Sequence, residues 1–290
     1  MIKPHRDTIF VEQAEILEHV AHAGDQYVMR VRAPEIAASA KAGSFAHISC
    51  DPMLPMRRPI SIMRVDKKNA WVDFLYKAIG HGTGLLATRQ VGETISVMGP
   101  IGNPFKIDLS RPRALLIGGG VGMPPMIFLA ETLKNLLGSK PFAILGSEVP
   151  FPFSSRPSSI MVPGMPDGVI AAMPLLEDWA IPSRLASQQG YVGCFEGYVT
   201  DLARHWLDAL DAEQRKEVIV YACGPHPMLA AVARLAKDYG LPCQVSLEEF
   251  MACAVGGCAG CVVEVQTDNG PVMKRVCVDG PVFNAEQVFA

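Results

Sequence analysis

Four cysteines near the C-terminus are spaced C-x4-C-x2-C-x15-C: Cys253, Cys258 and Cys261 in CAVGGCAGC, and Cys277 in RVCVDGPVF. Thiols crowded in this way serve a disulfide knot, a zinc clip, an iron–sulfur cluster, or simply a core that tolerates cysteine. Composition removes the first. The chain has 290 residues, enough for about two domains with sizeable cores. Hydrophobic residues make up 49% and charged residues 19%, a globular balance rather than a disordered one. The net charge of −3 and the lack of any Lys/Arg run argue against a nucleic-acid partner. The opening MIKPHRDTIFVEQAEIL has no signal-peptide core, and no stretch reaches the ~20 apolar residues of a membrane span. The expectation is a cytoplasmic chain, where structural disulfides are disfavoured.

Zinc is the rival to iron. Structural zinc sites usually take two C-x2-C knuckles, whereas only Cys258 and Cys261 are so spaced here. C-x4-C-x2-C with a distant fourth cysteine is the plant-type [2Fe–2S] spacing. The intervening Ala254, Val255, Gly256, Gly257, Ala259 and Gly260 are small or apolar. They let the backbone wrap a cluster closely and turn N–H groups toward its sulfurs.

Upstream, the chain changes character twice. Residues 1–109 contain short β-branched or aromatic runs (QYVMRVRA, SFAHISC, PISIMRV, AWVDFLYKAI, ETISVMGP) punctuated by Gly, Pro and Asp, the pattern of a small antiparallel barrel. Residues 110–240 alternate strand and helix. RALLIGGGVGMPPMIFLAETLKNLL gives a strand, a glycine turn and a helical stripe through Ile127, Ala130, Leu133, Leu136 and Leu137, while KPFAILGS and EVIVYACGP add two buried strands. Residues 149–174 carry six of the chain's 23 prolines and predict a long surface loop or flap, either inert or a lid over a cofactor. Residues 241–290 form the cysteine-bearing segment. The predicted class is thus α+β and multidomain: an N-terminal antiparallel β-barrel, a central α/β parallel-sheet domain and a small C-terminal cluster segment.

Two glycine turns follow strands and precede helices: GGGVGMPP at 118–125 and CGPHPM at 223–228. Such turns suit a phosphate at a helix N-terminus, although either alone is equally an ordinary strand–helix connection. Two of them at the carboxyl ends of parallel strands favour a nucleotide. RRPISI at 57–62 offers Arg58 and Ser61 to an anion, and LYKAIGHGTGLL at 75–86 leads into a short helix; each alone reads as a plain strand boundary. Cys50, Cys194 and Cys243 are isolated and read as small hydrophobes, and His226 reads as a loop histidine.

In this order, RPIS, LYK, GT, GGGVG, CGP and the cysteine set resemble the electron-transfer subunits of heterotetrameric dihydroorotate dehydrogenase, a branch of the ferredoxin-reductase-like flavoproteins. The resemblance spans nearly the whole chain. It implies that the barrel binds FAD, the second domain NAD(H), and the last segment a [2Fe–2S] cluster. Arg58, Pro59, Ile60 and Ser61 would hold the flavin edge and pyrophosphate, Leu75, Tyr76 and Lys77 would line the flavin, and Gly82 and Thr83 would take its phosphate. Gly118, Gly119, Gly120 and Gly122 would face the nicotinamide nucleotide, with Cys223, Gly224 and Pro225 beside the nicotinamide. Cys253, Cys258, Cys261 and Cys277 would ligate the cluster. The implied route runs from a separate FMN-containing subunit that oxidises dihydroorotate in pyrimidine biosynthesis, through the cluster and FAD, to NAD. It requires no acid–base side chain, so no catalytic residue is assigned.

The family's nucleotide domain often has an acidic pair before a glycine turn, where this chain has Ser187, Gln188 and Gln189 in ASQQGYVGCFEGYVTDL. Nearby Arg184 suggests a 2′-phosphate, which leaves NAD or NADP open. Two other functions share these motifs. One is a related FAD/[2Fe–2S] reductase subunit serving a ferredoxin, a hydrogenase or another dehydrogenase. The other is a zinc-stabilised, non-enzymatic nucleotide-binding protein.

Overall fold

The computed structural model describes residues 8–289. Six strands close the barrel in the order β1-β2-β5-β4-β3-β6: β1 (Phe10–His22), β2 (Gln26–Arg32), β3 (Phe45–Ile48), β4 (Arg58–Asp66), β5 (Trp71–Lys77) and β6 (Thr94–Ile101). Every pairing is antiparallel. Alternation turns Ala14, Ile16, Met29, Val31, Ile62 and Phe74 into the interior, each of them fully buried. Two short helices accompany the barrel, α1 (Pro34–Ser39) and α2 (His81–Ala87).

The second unit is a seven-stranded sheet in the order β12-β11-β8-β7-β13-β14-β17, with β7 (Arg113–Gly119), β8 (Phe142–Gly146), β11 (Ser183–Ser187), β12 (Phe195–Glu196), β13 (Val218–Cys223), β14 (Cys243–Ser246) and β17 (Val282–Asn284). All are parallel except β17. Between them lie the two-residue ribbon β9 (Arg156–Pro157) and β10 (Ala171–Ala172) and the hairpin β15 (Val262–Thr267) and β16 (Gly270–Arg275). The helices are α3 (Met123–Leu133), α4 (Pro174–Asp178), α5 (Val199–Asp208), α6 (Ala212–Lys216), α7 (His226–Asp238) and α8 (Ala285–Val288). β8 and β13 are buried along their whole length because helices cover both faces of the sheet, which explains their unbroken apolar sequences.

Helix α3 lies between sheet and barrel and is buried without a break from Met123 to Ala130. It begins at Met123, with Pro124 and Pro125 in its first turn, and ends at Leu133. Leu137, expected on its apolar stripe, is fully exposed in the turn beyond. Arg64 on β4 reaches Glu131 on α3 at 2.8 Å, with its guanidinium over the rings of Trp71 and Trp179. The ion pair is largely shielded from water and fixes the barrel against the sheet.

The segment of residues 149–174 is largely irregular, as its prolines require, yet it is pinned at several points. Gln26 of the barrel donates to the Pro150 carbonyl at 2.7 Å, and a Cβ on Gly24 would lie 2.7 Å from Val149. Glu177 accepts from Ser158 and Ser159, and Ala171 and Ala172 are buried. The division expected at residue 240 meets a sheet that runs on through β14 and takes up β17 from beyond the fourth cysteine.

Candidate functional site

Chain order in the sheet reverses between β7 and β13: β8, β11 and β12 build outward on one side, β13 and β14 on the other. In an open α/β sheet, the crevice at the carboxyl ends of strands flanking such a reversal is where ligands bind. Both glycine turns lie there, side by side, because Gly118 is paired with Cys223. Their packing leaves no space for side chains. A Cβ on Gly122 would lie 2.5 Å from the Gly224 nitrogen and closer still to the Cys223 carbonyl, and one on Gly119 would strike the Met228 sulfur. Gly120 alone has open space, and its φ of +54° supplies the left-handed turn into α3. Pro225 is exposed at the N-cap of α7, whereas the Cys223 thiol is wholly buried. Burial pushes that thiol well above its ordinary range, so it stands there as a neutral, small side chain.

On the barrel, the RPIS and GT motifs converge. A Cβ on Gly82 would sit 2.6 to 2.7 Å from the Arg58 guanidinium, so the missing side chain is what admits Arg58 to the start of α2. Arg58 donates to the carbonyls of Met56 and Arg57 at 2.9 and 3.1 Å through one nitrogen only. Its other donors have no acceptor among the described residues. Ile60 faces the core, while Pro59, Ser61 and Lys77 are half-exposed. The Thr83 hydroxyl folds back to accept the Gly80 N–H at 3.3 Å. A guanidinium with spare donors, an ammonium and a glycine-opened helix start together suit a phosphate-bearing flavin.

Leu75 and Tyr76 take different places from Lys77. Both are buried, at 2% and 3% exposure. Tyr76 stacks on Tyr27 at 5.4 Å, and its hydroxyl meets the His19 imidazole at 2.8 Å. The Tyr76 side chain therefore belongs to the core cluster.

Sequence reasoning passed over His47 altogether. It lies opposite Pro59 on β3, 1% exposed, and neither ring nitrogen has a hydrogen-bond partner. The carbonyls of Met251 and Arg57 lie near its polar edge without reaching bonding geometry. Burial, then the charges of Arg57 and Arg58, push its pKa down to about 4, so the ring is neutral at pH 7. The unfolded chain takes up this proton near pH 6.5, while the folded protein resists until about 4. Stability present above pH 6.5 is therefore lost as pH falls toward 4, by up to about 3 kcal/mol. Urea unfolding at pH 7 and pH 5 checks this: the loss should shrink in His47→Leu, and an equal loss in both proteins refutes the assignment.

The four cysteines stand as two pairs. The Cys258 N–H points at the Cys253 sulfur at 3.4 Å, and the Cys277 N–H at the Cys261 sulfur at 3.5 Å. Gly260 N–H adds a third contact, to the Cys258 sulfur at 3.4 Å. Burial opposes ionisation of Cys253, but N–H groups of Val255, Cys258 and Gly257 together with the Cys258 thiol prevail and bring it down to about 7. Burial and the neighbouring Cys261 push Cys277 up to about 12. Left-handed φ angles of +55° at Ala254 and Ala259 and +81° at Gly256 coil the loop so that its amides face inward. The C-x4-C-x2-C spacing with the distant Cys277, and the amide donors directed at the sulfurs, suit a two-iron cluster.

The cluster segment is clamped to the barrel rim. Asn103 donates its backbone N–H to the Gly280 carbonyl at 2.6 Å and its side-chain amide to Val278 and Asp279. A Cβ on Gly102 would strike Pro281. Together with Met251 beside His47, these contacts seat the segment on the barrel next to the RPIS strand.

Two expectations on the nucleotide side need correction. Arg184 is only 4% exposed and donates to the carbonyls of Val169, Ser183 and Ile160. Its donors tie the proline-rich segment to β11 and do not reach a 2′-phosphate. His226 lies at the start of α7 rather than in a loop, its ring 4.9 Å from that of Phe289.

Comparison with known proteins follows the same lines. Residues 248–289 match the family model of the iron-sulfur cluster binding domain of dihydroorotate dehydrogenase B. The chain is 32% identical over 283 residues to the dihydroorotate dehydrogenase B (NAD(+)) electron transfer subunit of Desulforamulus reducens, covering 96% of this chain and 98% of that protein. It is 36% identical over 254 residues to the subunit of that name from Bacillus caldolyticus, covering 85% and 86%. Among solved structures, one on flavin-based electron bifurcation by an NADH-dependent reduced ferredoxin-NADP oxidoreductase aligns with a TM-score of 0.77 at 26% identity, over 96% of this chain and 90% of that one. With cysteine pairs, glycine turns and barrel cradle agreeing with relatives matched almost end to end, the chain belongs to the family of dihydroorotate dehydrogenase B electron transfer subunits.

Proposed function

We propose that the protein is an oxidoreductase subunit that passes electrons from a dihydroorotate-oxidising partner to NAD, in pyrimidine biosynthesis. The observation that carries this reading is the seating of the paired-cysteine segment on the barrel, through Asn103 with Gly280 and through Met251 beside His47, the β3 partner of Pro59. When bound, the [2Fe–2S] cluster and FAD supply the single-electron and hydride chemistry. The chain's own residues position and insulate them. Cys253 and Cys258 would hold one iron, Cys261 and Cys277 the other, with amides of the loop directed at the sulfurs. Arg58, Gly82 and Thr83 would take the flavin's pyrophosphate, Pro59, Ile60 and Ser61 its ring edge, and the backbone of Leu75 and Tyr76 with Lys77 its other side. Gly118, Gly119, Gly120 and Gly122 would admit the nicotinamide nucleotide to the crevice, its nicotinamide end toward Cys223, Gly224 and Pro225.

The partner is an FMN-containing dihydroorotate dehydrogenase catalytic subunit, in a heterotetramer and in the cytoplasm. No described helix is long and apolar enough to cross a membrane. Co-expression with that subunit tests the reading. A stable complex containing FMN, FAD and iron that reduces NAD with dihydroorotate is the expected result. A chain that binds zinc and no flavin would overturn it, and a loaded chain that ignores this partner but reduces ferredoxin would transfer it to the reductase alternative.

A further inference from the structure

The nucleotide crevice has neither the acidic pair usual in the family nor a free Arg184 for reading the adenosine ribose. Ser187, Gln188 and Gln189 stand where an acidic pair is usual, and Arg184 is committed to three carbonyls. Ser187 is occupied as well, its hydroxyl accepting from the Gln189 N–H at 3.2 Å. A nucleotide with its pyrophosphate at the glycine turn after β7, and its nicotinamide toward β13, must lay its adenosine the other way, across the ends of β8 and β11.

At that place the structure presents Glu148. Gly119 pairs with Gly146 on β8, and Gly146 with Ala186 on β11, so Glu148 emerges just beyond the strand adjacent to the glycine turn. The Ser147 N–H bonds the Ala186 carbonyl at 3.2 Å, which holds the end of β8 beside Ser187. The Ser147 hydroxyl is closed onto Val149, donating to its carbonyl at 2.7 Å. The Glu148 side chain is exposed, with no hydrogen bond or ion pair among the described residues. The segments around it, residues 147–170 and 187–197, contain a single cation, Arg156, and that is paired with Asp178. Glu196, at the end of β12, adds a second exposed carboxylate on this edge.

We propose that Glu148 accepts hydrogen bonds from the adenosine ribose hydroxyls and so selects NAD(H) over NADP(H). A carboxylate can take both hydrogens of a vicinal diol, and it repels a 2′-phosphate that no cation here would neutralise. This rests on the nucleotide site of the proposed function and replaces the missing acidic pair with an acid from the neighbouring strand.

The test measures dissociation constants for NADH and NADPH on the flavin- and cluster-loaded protein by titration calorimetry. It compares wild type, Glu148→Gln and Glu148→Arg, with flavin absorbance as the control for folding. Glu148→Gln should weaken NADH about tenfold and narrow the preference over NADPH, since a hydrogen bond to a charged acceptor is lost. Glu148→Arg should reverse the preference. Turnover with ferricyanide should follow in KM more than in kcat. If wild type binds NADH and neither variant changes the ratio, the assignment of Glu148 is wrong while the nucleotide site survives. If wild type binds neither nucleotide, the site itself is misread and the inference falls with it.

Discussion

Cys258→Ser yields a protein that keeps its flavin and loses its iron. Cys258 is exposed at the turn of the loop, and its sulfur accepts only the Gly260 N–H. A hydroxyl fits the same volume, so the loop and the barrel beneath it should remain folded. What disappears is a thiolate, and the remaining three sulfurs cannot complete two tetrahedral irons. Changes in the outer shell of a metal site already cost roughly 10–100-fold in affinity, and removal of a ligand costs more. Iron and acid-labile sulfide should fall to background while the flavin bands persist, because Arg58, Ser61, Lys77 and Gly82 lie on other elements. Full retention of iron would refute the ligand assignment. Loss of both groups would show that the Asn103 clamp makes barrel and cluster segment one folding unit.

Gly122→Ala is the second large effect, and here backbone is the reason. The added methyl would overlap the Cys223 carbonyl and lie 2.5 Å from the Gly224 nitrogen. A flexible side chain could swing aside, but these atoms end a strand held in register on both sides. Either the two turns separate or the sheet distorts, at a cost of about 3 kcal/mol or more. Urea unfolding should show the loss, and any folded fraction should bind NADH poorly. Gly120→Ala is the contrast: its Cβ meets nothing, so only the φ of +54° is penalised, by about 1–2 kcal/mol. Equal, small effects at both positions would mean that the turns are not packed against each other.

Much of this site is legible locally. Cysteine spacing, the glycine turns after apolar runs and the prolines at the start of α3 are short-range signals, each set by backbone geometry within a few residues. Arg184 and Leu137 show where such signals stop. Arg184 lies beside the nucleotide motif in sequence, but its donors are consumed by carbonyls from the proline-rich segment, 15 and 24 residues away. Leu137 continues an apolar period that the helix itself does not continue. Tyr76 belongs to a functional motif, yet its ring is claimed by His19 and Tyr27.

The amino-acid order alone determined the kinds of element, the cofactor-sized glycine turns and the paired thiol spacing. Covalent connection and period 2 or 3.6 dictate these within one segment. The fold decided which segments meet: Arg58 with Gly82, Gly122 with Cys223, Asn103 with Gly280, and Ser147 with the end of β11. Those contacts join residues from about 24 to nearly 180 positions apart. Only closure of the barrel, the strand order of the sheet and burial of competing side chains select them.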